Sequence, residues 1–390
     1  MKNRIPVLDI ARGAAIIGTL GTNIWIFATL GSIDFLIDDD NYWYGNWETV
    51  VEAIFLFFMN GKFLGLLTIL FGMGLEIKRR SYIRHNQKKL WPWLYVWGMM
   101  LLLVDGFLHY LFVFEFDVLM SYAITGMIVA FILKFKNKII KRIAIVLGII
   151  HVIGVMLLGI LIEVIFRIDS AREEFLREIQ QMSSIYLSNS YWDQVVYRFT
   201  DFWGLRGEAI GIIPMNILLF LLGVYLIRTS IFENSEDGRR RRKKLLIIGL
   251  GIGIPLNALV FLPTYSMAVI VRYLFAPLMA LGYFMLFHLL LEKKVFSFLF
   301  RRLTEVGRTA LSCYMLQNMI ASILFYGWGF ALGGQLNAIG IIVVWLLISC
   351  TLILFAHVWL KKFSTGPFEI IWRKLINLPM FLINNKKNAA

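Results

Sequence analysis

In the stretch from Trp91 to Gly126, Asp105, His109, Glu115 and Asp117 stand at or near the end of an apolar run long enough to cross a bilayer. An ionisable side chain facing lipid costs roughly 2.5 kcal/mol or more, so such residues in a membrane segment raise a functional-site hypothesis. Asp105 and His109 are four apart and share a helix face. A carboxylate one turn from an imidazole holds its tautomer and raises its basicity, which is what a general base needs. The same side chains would also serve as hydrogen bonds between helices, or as headgroup-region polar residues with no chemistry.

The elements that must position these residues are transmembrane helices. The 390 residues are 59% hydrophobic, 15% aromatic and only 16% charged, with a mean hydropathy of +0.72. Soluble domains average about 25% charged, so the departure points to repeated apolar spans of about 20 residues. The net charge of +14 would suggest nucleic acid in a soluble protein. Here the Lys and Arg residues concentrate in short loops between spans, where they set orientation, so no nucleic-acid partner is expected. Cys313 and Cys350 both lie in apolar runs, which argues against a disulfide framework and against a Cys-based metal site. The start MKNRIPVLDIARG lacks the small-residue cleavage site of a signal peptide, so the first span is expected to stay.

The expected fold is all-α, a polytopic bundle of about ten transmembrane helices with both termini cytoplasmic. Span one, Val7 to Leu30, carries Asp9 and Arg12 as a boundary pair or as interfacial snorkels, and Asn23 deeper. The acidic aromatic loop DFLIDDDNYWYGNWE reads as the outer face. The run from Thr49 to Ile77 is too long for one upright helix and is broken at Asn60, Gly61 and Lys62, which suggests an interfacial or re-entrant piece before a span. Lys62 reads either as an anion contact inside the bundle or as a snorkelling lysine. Basic loops at 78–89 and 134–142 alternate with spans, so His109 and Asp117 fall toward the outer side. Span five, Ile143 to Phe166, carries His151, expected as a hydrogen-bonded core residue. Residues 167–207 form the longest non-membrane segment, either an amphipathic lid over the outer mouth or a plain connector. Pro214 is expected to bend span six, and the ENSEDGRRRRKK run to be a cytoplasmic linker able to bind anionic lipid. Arg272 in span eight wants a carboxylate. Glu305 and Arg308 have the i, i+3 spacing of a pair, and Gln317 lies further along span nine. This divides the chain into a membrane half at 1–228, a basic linker at 229–244 and a second membrane half at 245–390. No P-loop, GxGxxG, HExxH or GxSxG occurs.

Several motifs together resemble one family. LDIARGAAIIGTLGTN looks like the opening D-x-x-R-G-x-A-I-x-G-x-x-x-x-N of the YeiB-like bacterial membrane proteins, matching at Asp9, Arg12, Gly13, Ala15, Ile16, Gly18 and Asn23. TILFGMG is similar to S-x-L-F-G-x-G, with Thr68 in place of serine. GFLHYLFVFEFDVLMSYA resembles G-L-L-H…G-D-I-L-x-x-Y-A through Gly106, His109, Asp117, Leu119, Tyr122 and Ala123, with Phe116 replacing the glycine. VGRTALSCYMLQ resembles G-R-x-x-L-T-N-Y-x-x-Q, with Ser312 and Cys313 replacing Thr-Asn, and GPFEIIWR resembles G-P-x-E-W-x-W-R. In that family the C-terminal half is a domain of unknown function. The family is grouped by resemblance with transmembrane acyltransferases such as the lysosomal heparan glucosaminide acetyltransferase.

That resemblance implies transfer of an acyl group from cytoplasmic acyl-coenzyme A, with acetyl-coenzyme A as the type donor and no metal, to a glycan or lipid acceptor of the cell envelope across the bacterial plasma membrane. His109 would act as general base or acyl acceptor, Asp117 or Asp105 would orient it, and Asn23 would line the site. Arg12, Lys62, Arg308 and Gln317 are the candidate donor contacts, the cations among them suiting the phosphates. The other readings are a small-solute or proton-coupled transporter, in which the same residues relay protons, and a non-catalytic lipid-binding protein. Membrane lipid is a partner in every case, and a homodimer is left open.

Overall fold

The computed structural model of the chain describes residues 5–31, 46–87, 89–188 and 190–388, and among these every regular element is helical. Most of the acidic aromatic loop expected after span one, and Lys88 of the first basic loop, fall outside the described residues. The chain opens with α1 (Pro6–Ala28), α2 (Trp47–Met59), α3 (Lys62–Arg84), α4 (Trp91–Phe112), α5 (Leu119–Ile132) and α6 (Asn137–Phe166). A cap-like segment follows, made of α7 (Asp169–Leu187), α8 (Tyr191–Thr200) and the short α9 (Phe202–Leu205) and α10 (Gly207–Gly211). The chain then runs through α11 (Ile213–Arg228), α12 (Glu236–Leu246), α13 (Gly253–Asn257), α14 (Tyr265–Ile270), α15 (Ala276–Glu292), α16 (Ser297–Arg308), α17 (Ala310–Phe325), α18 (Ala338–Trp359) and α19 (Pro367–Asn388). Residues Ile247–Ile252 and Val271–Phe275 are π-helical.

About ten spans are expected from the sequence; among the described residues seven helical stretches are long and apolar enough to cross a membrane, among them Trp47–Arg84 and Glu236–Phe261, and α5, α11 and α17 are shorter apolar helices. Most of α1 is buried, while α6 exposes Ile145, Ile149, Val152 and Leu157 along its length. Such a continuous apolar face suits lipid and would drive association in water.

Local signals explain where the helices start. Pro6 occupies the first turn of α1, where its missing N–H has no intrahelical partner to lose, and Asp9 follows at the positive end of the helix dipole. Asn46 caps α2 by accepting from the N–H groups of Glu48 and Thr49 at 3.0 and 3.1 Å. The break expected at Asn60–Lys62 is present: Gly61 adopts φ +75°, a left-handed conformation open to glycine, and its missing Cβ admits the backbone of Arg272 and the methyl of Ala276.

The two halves of the sequence share one core, because α1 packs against α3, α16, α17 and α18. Gly13 and Gly307 make the closest approach. A Cβ on Gly307 would enter the carbonyl of Asp9, and one on Gly13 the carbonyl of Leu303. Small residues let membrane helices approach backbone to backbone in this way. Gly307→Ala should therefore push α1 from α16 and destabilise the protein by about 1–3 kcal/mol, seen as a lower melting temperature in detergent. An unchanged melting temperature would show that the contact relaxes freely.

Two expectations are corrected by the packing. Pro214 sits in the first turn of α11, after a break at Ile212, so it starts a helix rather than bending one. Within the ENSEDGRRRRKK run Ser235 caps α12, and the buried Arg242 donates to Glu292 at 2.6 Å and to the carbonyls of Ile231 and Glu233. Glu305 pairs with Arg302 at 2.7 Å and lies 3.4 Å from His357, whereas Arg308 turns away to donate to the carbonyl of Ser364 at 2.9 Å.

Candidate functional site

Between α4 and α5 the chain leaves helical geometry at residues 113–118, and this short stretch carries both Glu115 and Asp117, fully buried. Irregular backbone at such depth is tolerated only where the protein itself satisfies its polar groups. The cap segment supplies the donors. Arg206 donates to the carbonyls of Glu115 and Asp117 at 2.9 and 2.6 Å, Arg198 to that of Leu111 at 3.3 Å, and the Tyr191 hydroxyl to that of Phe112 at 2.7 Å. Burial works against the charge of Arg198, yet Tyr186, Glu115 and Tyr326 around it hold the guanidinium above the ordinary arginine range. These bonds bolt the 167–207 segment into the bundle.

The fold-back brings Asp117 onto His109. The imidazole Nδ1 lies 2.8 Å from Asp117 Oδ2, and the Tyr314 hydroxyl donates to the same oxygen at 3.0 Å, while Oδ1 accepts from the Leu119 N–H at 2.9 Å. An Nδ1–H donated to the carboxylate leaves Nε2 as the free lone pair. That nitrogen faces the Asn318 amide at 3.4 Å, and Asn318 in turn accepts from Asn23 at 3.5 Å. The result is a chain Asn23–Asn318–His109–Asp117–Tyr314, contributed by α1, α4, α17 and the 113–118 stretch.

A cavity of about 490 Å³ leads toward this chain from the basic end of the bundle. Arg12, Lys78, Arg308 and Arg373, together with the carboxylates of Asp9 and Glu369, line one end of it; its middle is the apolar face of α3 and α4, including Leu67, Leu70, Tyr95 and Met99; Val118, Tyr122 and Tyr314 line the other end. From Leu67 to Lys78 the α3 wall advances about 16 Å along the helix axis. A second cavity of about 40 Å³ on the far side is lined by Asn23, Thr19, Thr22, Glu208, Arg272 and again Tyr314. Val118 and Tyr314 therefore divide the two, with the His109–Asp117 pair buried behind them.

The expected site residues sort accordingly. His109, Asp117 and Asn23 come together, and Arg12 and Arg308 line the large cavity. Asp105 is not the orienting carboxylate: its Oδ2 is buried without a hydrogen-bond partner, because the 113–118 fold-back delivers Asp117 to Nδ1 first. Lys62 lies away from the large cavity, at the start of α3 over the Phe57 ring at 5.5 Å. Gln317 is buried with both amide atoms unpartnered and lines neither cavity. Arg272 finds its carboxylate in Glu208 at 2.8 Å, and His151 bonds the Tyr273 carbonyl at 3.1 Å. Arg12 lies 3.3 Å from Asp9, as a boundary pair would. Ser312, where the resembled motif has threonine, donates to Glu369 at 2.5 Å and ties α17 to α19.

Arg198, Arg206 and Asn318 were not legible as site residues. For Asn318 a signal existed, since it stands four residues after Tyr314 and shares its helix face.

Comparison with known proteins agrees with the motifs. Residues 226–379 match the family described as a protein of unknown function, DUF418. The chain is 26% identical to the uncharacterized protein YxaH of Bacillus subtilis (strain 168), over 95% of this chain and 94% of that one. It is 28% identical to the uncharacterized protein YeiB of Escherichia coli (strain K12), over 95% of this chain and 96% of that one. No solved structure matches. With motifs shared across both halves, the chain is similar nearly end to end to the YeiB-like membrane proteins, and its residues 226–379 match the DUF418 domain.

Proposed function

We propose that this protein is a transmembrane acyltransferase of the bacterial plasma membrane, carrying an acyl group from cytoplasmic acyl-coenzyme A to a hydroxyl or amine of a cell-envelope acceptor. The observation that carries the reading is the cavity running from four cations at the basic end to Tyr314, which shares the Asp117 carboxylate with His109. An anionic head with a slender apolar arm fits such a shape: Arg12, Lys78, Arg308 and Arg373 suit phosphates, and the walls suit a pantetheine chain. The basic end is the cytoplasmic one by the distribution of Lys and Arg.

Bound acyl-coenzyme A supplies a thioester whose carbonyl is open to attack. The residues of this chain do the rest. Asp117 fixes His109 so that Nε2, once the Asn318 amide turns aside to admit the acceptor, takes the proton of its hydroxyl or amine, which attacks the carbonyl as the carbon–sulfur bond breaks. The proton held on Nε2 then passes to the departing thiolate, so that free coenzyme A thiol and the acylated acceptor leave. The Asn318 and Asn23 amides occupy the approach to Nε2 from the far cavity, where the acceptor group would sit.

Calorimetry of acetyl-coenzyme A binding to the purified, detergent-solubilised protein tests the donor. Saturable binding is expected, weakened roughly tenfold in Arg373→Gln by loss of one charge-assisted phosphate contact, and preserved in His109→Ala. Absence of binding by folded protein would overturn the reading.

A further inference from the structure

A second pair of cations, Lys62 and Arg272, lies apart from the cavity of about 490 Å³. Lys62 is 2% exposed, and among the described residues it forms no ion pair or hydrogen bond; its one close neighbour of note is the Phe57 ring. Arg272 is held by Glu208, by Asn60 and over the Tyr273 ring, yet its Nε–H is buried with no acceptor. Both side chains line one small cavity of about 30 Å³, closed by Asn60, Leu56, Phe57 and Val271.

Three features give that cavity one electrostatic sign. Arg272 is already paired with Glu208, so among the described residues buried Lys62 has no carboxylate partner, and a negative charge bound beside it would favour its ammonium form. Lys62 begins the 23-residue α3, and the preceding Gly61 offers no side-chain cap, so the first turn of that helix presents its amide N–H groups to an anion. The π-helical turn Val271–Phe275 carries Arg272, and such insertions in helices recur at functional sites.

The geometry points to a binding site for one small monovalent inorganic anion of chloride size, held between Lys62 and Arg272 at the N-terminus of α3. The volume holds one such ion and excludes a phosphate ester or a nucleotide, since about 10–15 Å³ already accommodates a water molecule. The anion neutralises the excess cation, accepts from Lys62 Nζ and Arg272 Nε, and braces the α2–α3 corner against the π-turn. It stands independently of the acyl-transfer reading.

Thermal unfolding of the full-length protein in a neutral detergent is the test, with sodium gluconate exchanged for sodium chloride or bromide at constant ionic strength. A saturable rise in melting temperature of about 2 °C or more is expected with either halide, as a ligand of the folded state gives. Lys62→Met keeps the side-chain length and removes the charge, and it should abolish the halide dependence. Equal melting of the wild type in gluconate and halide would overturn the site, and so would a halide response retained in Lys62→Met. If Lys62→Met fails to fold, the wild-type exchange alone still decides.

Discussion

His109→Ala should lower acyl transfer by about 10²–10⁴-fold while leaving acetyl-coenzyme A binding at its wild-type strength. The range is that of a lost general base, and the separation of binding from turnover follows from the geometry. His109 lines neither cavity: it sits behind Tyr314 and Val118, so removing it touches no group that meets the donor's phosphates. Asp117→Asn should cost nearly as much, because the amide replaces an acceptor that His109, Tyr314 and the Leu119 N–H all use. An Asn side chain would offer an N–H where Nδ1–H needs a lone pair, freeing the imidazole to take the other tautomer. Tyr314→Phe should cost less, since the hydroxyl donates to Asp117 and leaves the His109 contact in place. The measurement is transfer of labelled acetyl from acetyl-coenzyme A to envelope acceptor in inverted membrane vesicles. Full transfer in His109→Ala would remove the base from the mechanism, and loss of both binding and transfer would assign His109 a purely structural role.

How much of this was legible follows from range along the chain. The helical, membrane-spanning character was written in composition and in the basic loops, because a bilayer imposes length and hydropathy on each segment separately. The α2–α3 break was legible for the same reason: Asn60, Gly61 and Lys62 interrupt an apolar run locally. His109 and Asp117 stood out as polar groups in hydrocarbon, but spacing favoured Asp105 as the partner, four residues away on a continuous helix. The 113–118 fold-back decided otherwise, and its stability rests on Arg198 and Arg206, some 90 residues later. Pattern reading weighs neighbours at three and four residues. It has no access to which distant cation will satisfy a broken backbone, so the segment read as a lid, an acceptor-binding cap or a connector, with no tie to the 113–118 stretch. The apolar cavity was invisible for a related reason, since its walls belong to helices that are each unremarkable.

Arg198 carries the second large effect, because it joins the cap to the site. Its guanidinium is buried between the rings of Tyr186 and Tyr326, bonds the Tyr186 hydroxyl at 3.2 Å and approaches Glu115 at 3.4 Å. Glu115 also accepts from the Tyr326 hydroxyl, at 3.2 and 3.3 Å. Arg198→Ala would leave that carboxylate buried without its cation, and breaking one side of a buried pair costs about 3–5 kcal/mol. Most of the cost is the stranded charge, so Glu115→Gln added to Arg198→Ala should recover a large part of it, whereas two independent losses would add. Arg198→Lys should not substitute, because an ammonium lacks the planar fork that reaches Tyr186, Leu111 and Glu115 together. Melting temperatures of the two single variants and the double variant in detergent close the cycle, and additive losses would show that Arg198 and Glu115 do not act as a pair. The same loop holds Asp117 two residues on. Acyl transfer by the double variant should therefore stay well below wild type even where stability returns, since the Leu111 carbonyl has lost its donor and Asp117 its fixed approach to His109.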